Sequence, residues 1–367
     1  MLSRRNITHP RAGGASRYVH EIFRRLADNY DVTVISEGDP NSRPVYEIDG
    51  LTYVNVRGPL IRALLPFNYL RKFARHADVL IDNADVAIPW LSPLFVRKPR
   101  ITIIHQLVRE VFYEELPRVF ATVGYVAEPS IYRLYSRSMI VAMSESTAQD
   151  LRCLGIPDRN IRIIGPGCPY WDSEPVPLAM RSQNIIGYVG RLMKYKGVQF
   201  AIKAVAQIKN DLPEVRLEIV GSGPYDVELR KLARDLGVAS RVAFLGKVTE
   251  QRKLDFYKQC RLVVLSSIRE GYGLSVIEAN AVGTPVVGWN VPGLKDSIVA
   301  DETGFLASFP DEDDLSQKIH RLMVDDETWN TFSESAWKWS HNHSWERSSQ
   351  EFQCLIDSAL SKRVAVV

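Results

Sequence analysis

The chain is predicted to be an α/β protein of two domains, each built on a parallel β-sheet covered by helices. Three observations carry that expectation. Short apolar runs alternate with stretches of helical period along most of the 367 residues, and parallel strands require helical crossovers of that kind. The alternation breaks once, over 165–183, where four prolines, Trp171 and scattered acids show no period and a linker is expected. Finally, the length suits two domains, and a hydrophobic content of 46% fills their cores.

In chain order, the runs at 32–36, 51–56, 79–83, 100–104, 139–142 and 161–164 read as strands of a first domain. Ser144 reads as the N-cap of a helix over 145–153 or as a site residue following a strand. The alternation restarts with strands at 185–189, 216–220, 242–245 and 261–265 and runs to about Gly304, with a periodic helix at 198–208. Helices near 312–324, 327–341 and 345–360 close the chain. The expected partition is an N-terminal domain over 1–170, a linker over 171–184, a second domain over 185–343 and a terminal helix over 344–367.

Composition excludes several classes. The four cysteines, Cys153, Cys168, Cys260 and Cys354, are far apart and form no C-x-x-C pair, so neither a disulfide framework nor a zinc site is indicated and a reducing cytoplasm is expected. No stretch reaches the ~18 uncharged apolar residues of a membrane span, and no apolar core follows the first five residues as in a signal peptide. A net charge of +3 gives no argument for nucleic acid. Between Asp49 and Asp78 there is no acid, while Arg57, Arg62, Arg71, Lys72 and Arg75 accompany large apolar residues. This stretch reads either as a surface for anionic lipid or as an ordinary helix, interrupted by Pro66, that covers the sheet.

The most informative stretch is R-E-G-Y-G-L-S-V-I-E-A-N-A-V-G-T-P at 269–285, which sets Glu270 and Glu278 eight residues apart. A strand runs into it, and Leu274, Val276, Ile277, Ala279 and Ala281 suit a buried helix. Glu270 then lies in the loop. Glu278 lies one turn into a helix whose N-terminus attracts an anion. A phosphate seat flanked by two hydroxyl acceptors suits a sugar nucleotide; the alternative is that Glu270 caps the helix and Glu278 faces solvent. Two further strand ends bear on the choice. The run at 185–189 ends in Gly190 and Arg191, followed by Lys194, Lys196 and Gly197, and the run at 216–220 ends in Gly221-Ser-Gly-Pro. Cations at the carboxyl end of a parallel strand hold a diphosphate, and small residues permit close backbone approach to a ligand. No D-x-D stands at a strand end to hold a metal; the acids at 311–314 and 325–327 read as solvated helix starts. His105 follows the run at 100–104, either at the ligand edge of its sheet or as a histidine satisfied within the fold.

E-x7-E, with G-R-L-M-K-Y-K-G at 190–197, V-G-S-G-P at 220–224 and L-G-K-V at 245–248, resembles the family 4 retaining glycosyltransferases of the GT-B fold. P-R-A-G-G-A-S at 10–16, I-I-H-Q at 103–106 and V-A-M-S-E-S-T-A-Q-D-L at 141–151 extend the resemblance over almost the whole chain. It implies two Rossmann-like domains whose parallel sheets face across a cleft, with the terminal helix crossing back to the first domain. It also implies retention of anomeric configuration in transfer of a hexosyl group from a UDP- or GDP-linked sugar to a glycan or lipid-linked acceptor, in cell-surface polysaccharide or glycolipid synthesis. Under that reading His105, Arg191, Lys196 and Glu270 are catalytic. Gly13, Gly14, Gly190, Arg191, Lys196, Gly221, Lys247, Val248, Glu270, Gly271, Tyr272, Gly273, Leu274 and Glu278 bind the donor. Glu270 would meet sugar hydroxyls, Glu278 the ribose, and Lys247 and Val248 the base. No metal or other cofactor is expected, since Arg191 and Lys196 offset the charge of the leaving diphosphate. The expected location is the cytoplasm, with peripheral contact at the inner face of the plasma membrane. Only Met1 to Arg5 precede the loop of Gly13 and Gly14, so most of a central first strand is expected to be missing, with the natural start upstream. The rival readings are a sugar-nucleotide-binding protein without activity, a sugar-nucleotide epimerase and a nicotinamide dehydrogenase; for the last, no strand ends in G-x-G-x-x-G.

Overall fold

The computed structural model describes residues 1–37, 39, 41, 43–56, 74–84 and 90–364. Arg57, Arg62, Arg71 and Lys72 of the basic stretch lie outside the described residues. The chain divides into two compact units: unit 1 holds Met1–Phe112, Arg118–Gly167 and Ser344–Val367, and unit 2 holds Tyr113–Pro117 and Cys168–His343.

Unit 1 is built on eight strands, β1 (Leu2–Arg5), β2 (Thr33–Glu37), β3 (Val45–Ile48), β4 (Leu51–Asn55), β5 (Leu80–Ala84), β6 (Arg100–Ile104), β7 (Met139–Ala142) and β8 (Ile161–Ile163). Their order in the sheet is β3-β4-β2-β1-β5-β6-β7-β8. All neighbours are parallel except β3, which returns antiparallel on β4 at the edge. The central slot, expected to be largely vacant, is filled by β1. Leu2 stands opposite Ile35 on one side and Asp82 on the other, and Arg5 stands opposite Glu37. Four residues therefore suffice to pair with both neighbours. The terminal helix, Trp345–Val364, packs on helix Gly14–Arg24 within this unit. Phe352 meets Phe23 edge-on at 5.0 Å, and Ser349 Oγ donates to the Ile22 carbonyl at 3.4 Å.

Unit 2 carries β9 (Ile185–Val189), β10 (Arg216–Val220), β11 (Val242–Gly246), β12 (Leu262–Leu265), β13 (Val286–Trp289) and β14 (Gly304–Ala307), all parallel, in the order β11-β10-β9-β12-β13-β14. Strand order reverses between β9 and β12, and the crevice outside the carboxyl ends at such a reversal is where open α/β sheets bind ligands. The loops that leave β9 and β12 flank that point. The strands are apolar on both faces because helices cover both: Leu262, Val263, Val264, Val286 and Val287 are all fully buried.

The segment 171–184, expected to link two domains, is packed as part of unit 2. The Val176 amide donates to the Val282 carbonyl at 3.1 Å and the Ser182 amide to the Gln259 carbonyl at 3.0 Å. Arg181 is buried and donates to the carbonyls of Val176, Tyr257 and Cys260 and to Thr284 Oγ1 at 2.7–3.1 Å, and also to the Val282 carbonyl. A Pro-rich stretch without period looks like a linker in sequence; here its polar groups are satisfied by the strand and helix ends of the unit behind it.

Candidate active site

In unit 2 the candidate residues gather on the loops at the carboxyl ends of β9, β10 and β12. These loops are stitched to one another by backbone. The Gly190 amide donates to the Val220 carbonyl at 3.0 Å, Leu192 to Ser222 at 3.1 Å, Ile268 to Tyr195 at 3.0 Å and Gly221 to Gly246 at 2.8 Å. Gly221 has φ +144°, and a Cβ there would lie 1.8 Å from the Gly190 carbonyl oxygen. The sequence suggested that this glycine lets a backbone approach a ligand; it also admits the backbone of the neighbouring loop at Gly190. Gly221→Ala is expected to destabilise unit 2 by about 1–3 kcal/mol through a forced left-handed residue and a displaced loop, read as a lowered urea midpoint at unchanged slope.

Lys196, in a single turn of 3-10 helix over Lys194–Lys196, puts Nζ 2.5 Å from Glu270 Oε1, and Ser267 Oγ donates to the same oxygen at 2.7 Å. Both side chains of the pair are 15% exposed. Burial pulls the Lys196 ammonium down, but the charge and hydrogen bond of Glu270 together with Tyr195 carry the net shift upward, so the lysine keeps its proton at neutral pH. Glu270 therefore does not cap helix Leu274–Asn280; Gly273 holds that position at φ +88° with no side-chain cap. Arg191 is exposed and donates to Tyr195 Oη at 2.9 Å. Tyr272 is fixed by its hydroxyl, 2.5 Å from His343 Nε2, whose Nδ1 lies 3.1 Å from the Trp339 carbonyl. That carbonyl only accepts, so Nδ1 carries the proton and Nε2 accepts from the tyrosine.

Glu278 is 3% exposed, and the solvent-facing alternative does not hold. Its Oε1 accepts from Lys253 Nζ and its Oε2 from Tyr257 Oη, both at 2.9 Å. Sequence reading missed both partners. Their signal was the i,i+4 spacing that sets Lys253 and Tyr257 on one face of helix Glu250–Gln259. Glu278→Ala removes the acceptor of the buried Tyr257 hydroxyl and leaves Lys253, which is 13% exposed, to the more exposed Glu250 carboxylate 3.2 Å away. The expected cost is about 3 kcal/mol, against about 1 kcal/mol for Glu278→Gln, measured by urea unfolding. Lys247 is exposed and Val248 half-buried, on the loop that follows β11.

In unit 1, Gly13 and Gly14 follow β1, with Gly13 at the N-cap of helix Gly14–Arg24 and no side-chain cap. A Cβ on Gly13 would meet nothing within 4 Å. His105 follows β6, its ring edge-on to Tyr18 at 5.6 Å. Its Nε2 lies 2.7 Å from Asn83 Oδ1, and Asn83 Nδ2 donates to Ser3 Oγ at 3.0 Å. An amide oxygen only accepts, so Nε2 carries the proton and Nδ1 is the free-electron-pair nitrogen of the neutral ring. Burial pulls the imidazole down to about 4. Between pH 4 and 6.5 the unfolded chain binds a proton that native His105 refuses, so the sign is a loss of stability as pH falls through that window, at most about 1.4 kcal/mol per pH unit. His105→Gln should remove that part of the slope in urea titrations compared across the window. Ser144 is an N-cap: its Oγ accepts from the Thr147 amide at 3.2 Å.

Comparison with known proteins agrees with the fold. Residues 172–339 match the family Glycosyl transferases group 1, and residues 12–169 match Glycosyltransferase Family 4. A D-inositol 3-phosphate glycosyltransferase of Acidothermus cellulolyticus is 34% identical over 85% of this chain and 78% of its own. Among solved structures, a sucrose-phosphate synthase of Thermosynechococcus elongatus is similar in fold, with a TM-score of 0.82 at 22% identity over 98% of each chain. Anabaena HepE, solved in complex with UDP-glucose, has a TM-score of 0.78 at 20% identity over 97% of this chain and 98% of its own. Two parallel-sheet α/β domains with these neighbours define a GT-B glycosyltransferase. The chain belongs to the family 4, or group 1, glycosyltransferases.

Proposed function

We propose that the protein transfers a hexosyl group from a nucleotide sugar to a glycan or lipid-linked acceptor in the cytoplasm, with retention of configuration and without a metal. The observation that carries this reading is the Lys196–Glu270 pair at the reversal of strand order in unit 2. UDP is the favoured nucleotide, because HepE was solved with UDP-glucose.

Each role follows from charge. Breaking the bond from the anomeric carbon to phosphate puts positive charge on the sugar and negative charge on the departing diphosphate. Arg191 and Lys196 stabilise the latter. Glu270 accepts hydrogen bonds from donor-sugar hydroxyls with the lone pairs that Lys196 and Ser267 leave, and Glu278 accepts from the ribose. The amides of Gly271, Tyr272, Gly273 and Leu274 meet the sugar and phosphate, and Gly190 and Gly221 shape the diphosphate's path. Lys247 and Val248 border the base. The acceptor hydroxyl attacks on the face from which the diphosphate leaves: its oxygen bonds to the anomeric carbon as the sugar–phosphate bond breaks, and its proton passes to a departing phosphate oxygen. His105, neutral at working pH, contacts the donor sugar, and Gly13 and Gly14 border donor and acceptor.

A thermal-shift screen of the purified protein against UDP-, GDP- and ADP-sugars tests the proposal. A donor at ~100 times its dissociation constant stabilises by about 2.7 kcal/mol. One nucleotide class should raise the midpoint, EDTA should leave that shift unchanged, and Glu278→Gln should weaken it. No shift with any of the three would favour a protein without transfer activity.

A further inference from the structure

Tyr195 stands at the middle of the 3-10 turn Lys194–Lys196 and is buried, at 7% exposure. Its side chain meets both cations proposed for the diphosphate. The hydroxyl accepts from Arg191 Nη2 at 2.9 Å, and the ring centroid lies 5.0 Å from Lys196 Nζ, within range of a cation–π attraction. Its backbone is held on both sides. The carbonyl accepts from the Ile268 amide at 3.0 Å, two residues before Glu270. The amide is one of the first donors of the turn, which find no partner within it, and the residue at the turn's own N-cap, Met193, offers them no side-chain hydrogen bond. Glu115 Oε1 accepts from the Tyr195 amide at 3.2 Å. It comes from 80 positions earlier in the chain, in the short stretch Tyr113–Pro117 that belongs to unit 2.

Arg191 and Lys196 carry their charges on long, flexible stems. Ordering such a side chain on a ligand costs affinity, and holding it in place beforehand removes that cost. A tyrosine has only two side-chain angles, and this one is buried and fixed at both its amide and its carbonyl, so its hydroxyl is a rigid support. The phenol also suits the task chemically. It takes one guanidinium N–H and brings no negative charge, whereas a carboxylate in its place would offset the charge that a diphosphate needs. We propose that Tyr195 is a positioning residue that sets Arg191 and Lys196 for the diphosphate, and that Glu115 holds Tyr195 in place by capping its amide. The proposal rests on the reading of the strand-end loops of unit 2 as a nucleoside-diphosphate site.

The test is calorimetric titration of the full-length protein with whichever of UDP, GDP and ADP it binds, and with the matching nucleoside monophosphate. Tyr195→Phe keeps the ring and removes the acceptor of Arg191. It should weaken diphosphate binding by about three- to tenfold and monophosphate binding by at most about twofold. A loss of packing alone would weaken both ligands alike. Glu115→Ala should reproduce that selective loss, and Glu115→Gln, whose amide oxygen still accepts from the Tyr195 amide, should recover most of it. Glu114→Gln, which breaks the exposed pair with Lys194 at 3.1 Å, should bind like the unchanged protein. Urea midpoints matching that of the unchanged protein confirm folding, and Tyr195→Phe carries the test if Glu115→Ala does not fold. The proposal alone is overturned if Tyr195→Phe keeps the unchanged protein's ratio of diphosphate to monophosphate affinity. If the unchanged protein binds none of the three diphosphates, the reading beneath the proposal falls and takes the proposal with it.

Discussion

Lys196→Ala should lower the rate of sugar transfer by about two to three orders of magnitude at saturating donor, the loss associated with one preorganised contact to a developing negative charge. The ammonium is held on Glu270 Oε1 at 2.5 Å, and its raised pKa keeps it charged at neutral pH. It therefore needs no reorganisation when charge builds on the departing diphosphate. An interaction that strengthens only in the transition state appears in kcat and kcat/KM together. A variant that raised KM at unchanged kcat would place Lys196 in ground-state binding alone. Because Glu270 is held by the same contact, Glu270→Ala and Lys196→Ala should combine to much less than the product of their separate effects.

Arg181→Leu should cost unit 2 about 4 kcal/mol or more, the largest stability loss expected for a single substitution described. The guanidinium is buried and serves acceptors on three separate stretches of chain, among them the carbonyls of Val176, Tyr257 and Cys260 and the hydroxyl of Thr284. It also lies 5.2 Å over the Trp329 ring. Leucine fills part of the volume but takes the guanidinium donor from the carbonyls of Val176 and Cys260, at about 1–3 kcal/mol each, and one of two partners from the Tyr257 and Val282 carbonyls, which keep Thr284 Oγ1 and the Val176 amide. Urea unfolding followed by tryptophan fluorescence measures the loss. A shift below about 1 kcal/mol would show that water reaches those carbonyls once the arginine is gone.

Periodicity located most of the sheet because its strands are buried on both faces and read as unbroken apolar runs. β6, β7, β9 and β10 begin and end where composition placed them. β3 went unread because it is an edge strand: V-Y-E-I shows one half-buried face and carries a glutamate, so neither signal of a buried strand is present. β1 was discounted because only Met1 to Arg5 precede the loop of Gly13 and Gly14, yet Leu2 and Ser3 of its four residues are buried between the neighbouring strands. At the candidate site, the Glu270–Lys196 contact spans 74 positions and the sequence could supply only the residue types at two strand ends; sheet order brings those ends together. Lys253 and Tyr257 escaped notice because they sit on a helix that reads as solvated. Arg181 escaped for the opposite reason, standing in a stretch whose composition marks a linker.

In the proposed mechanism the strand-end loops of unit 2 hold a nucleoside diphosphate through Lys196 and Glu278. Calorimetric titration of UDP, GDP and ADP into the unchanged protein, Lys196→Ala and Glu278→Gln tests it most directly. One nucleotide should bind at one site per chain, and each variant, still folded, should bind it at least about tenfold more weakly. Binding of equal strength in both variants, or no heat from any of the three nucleotides, would contradict it.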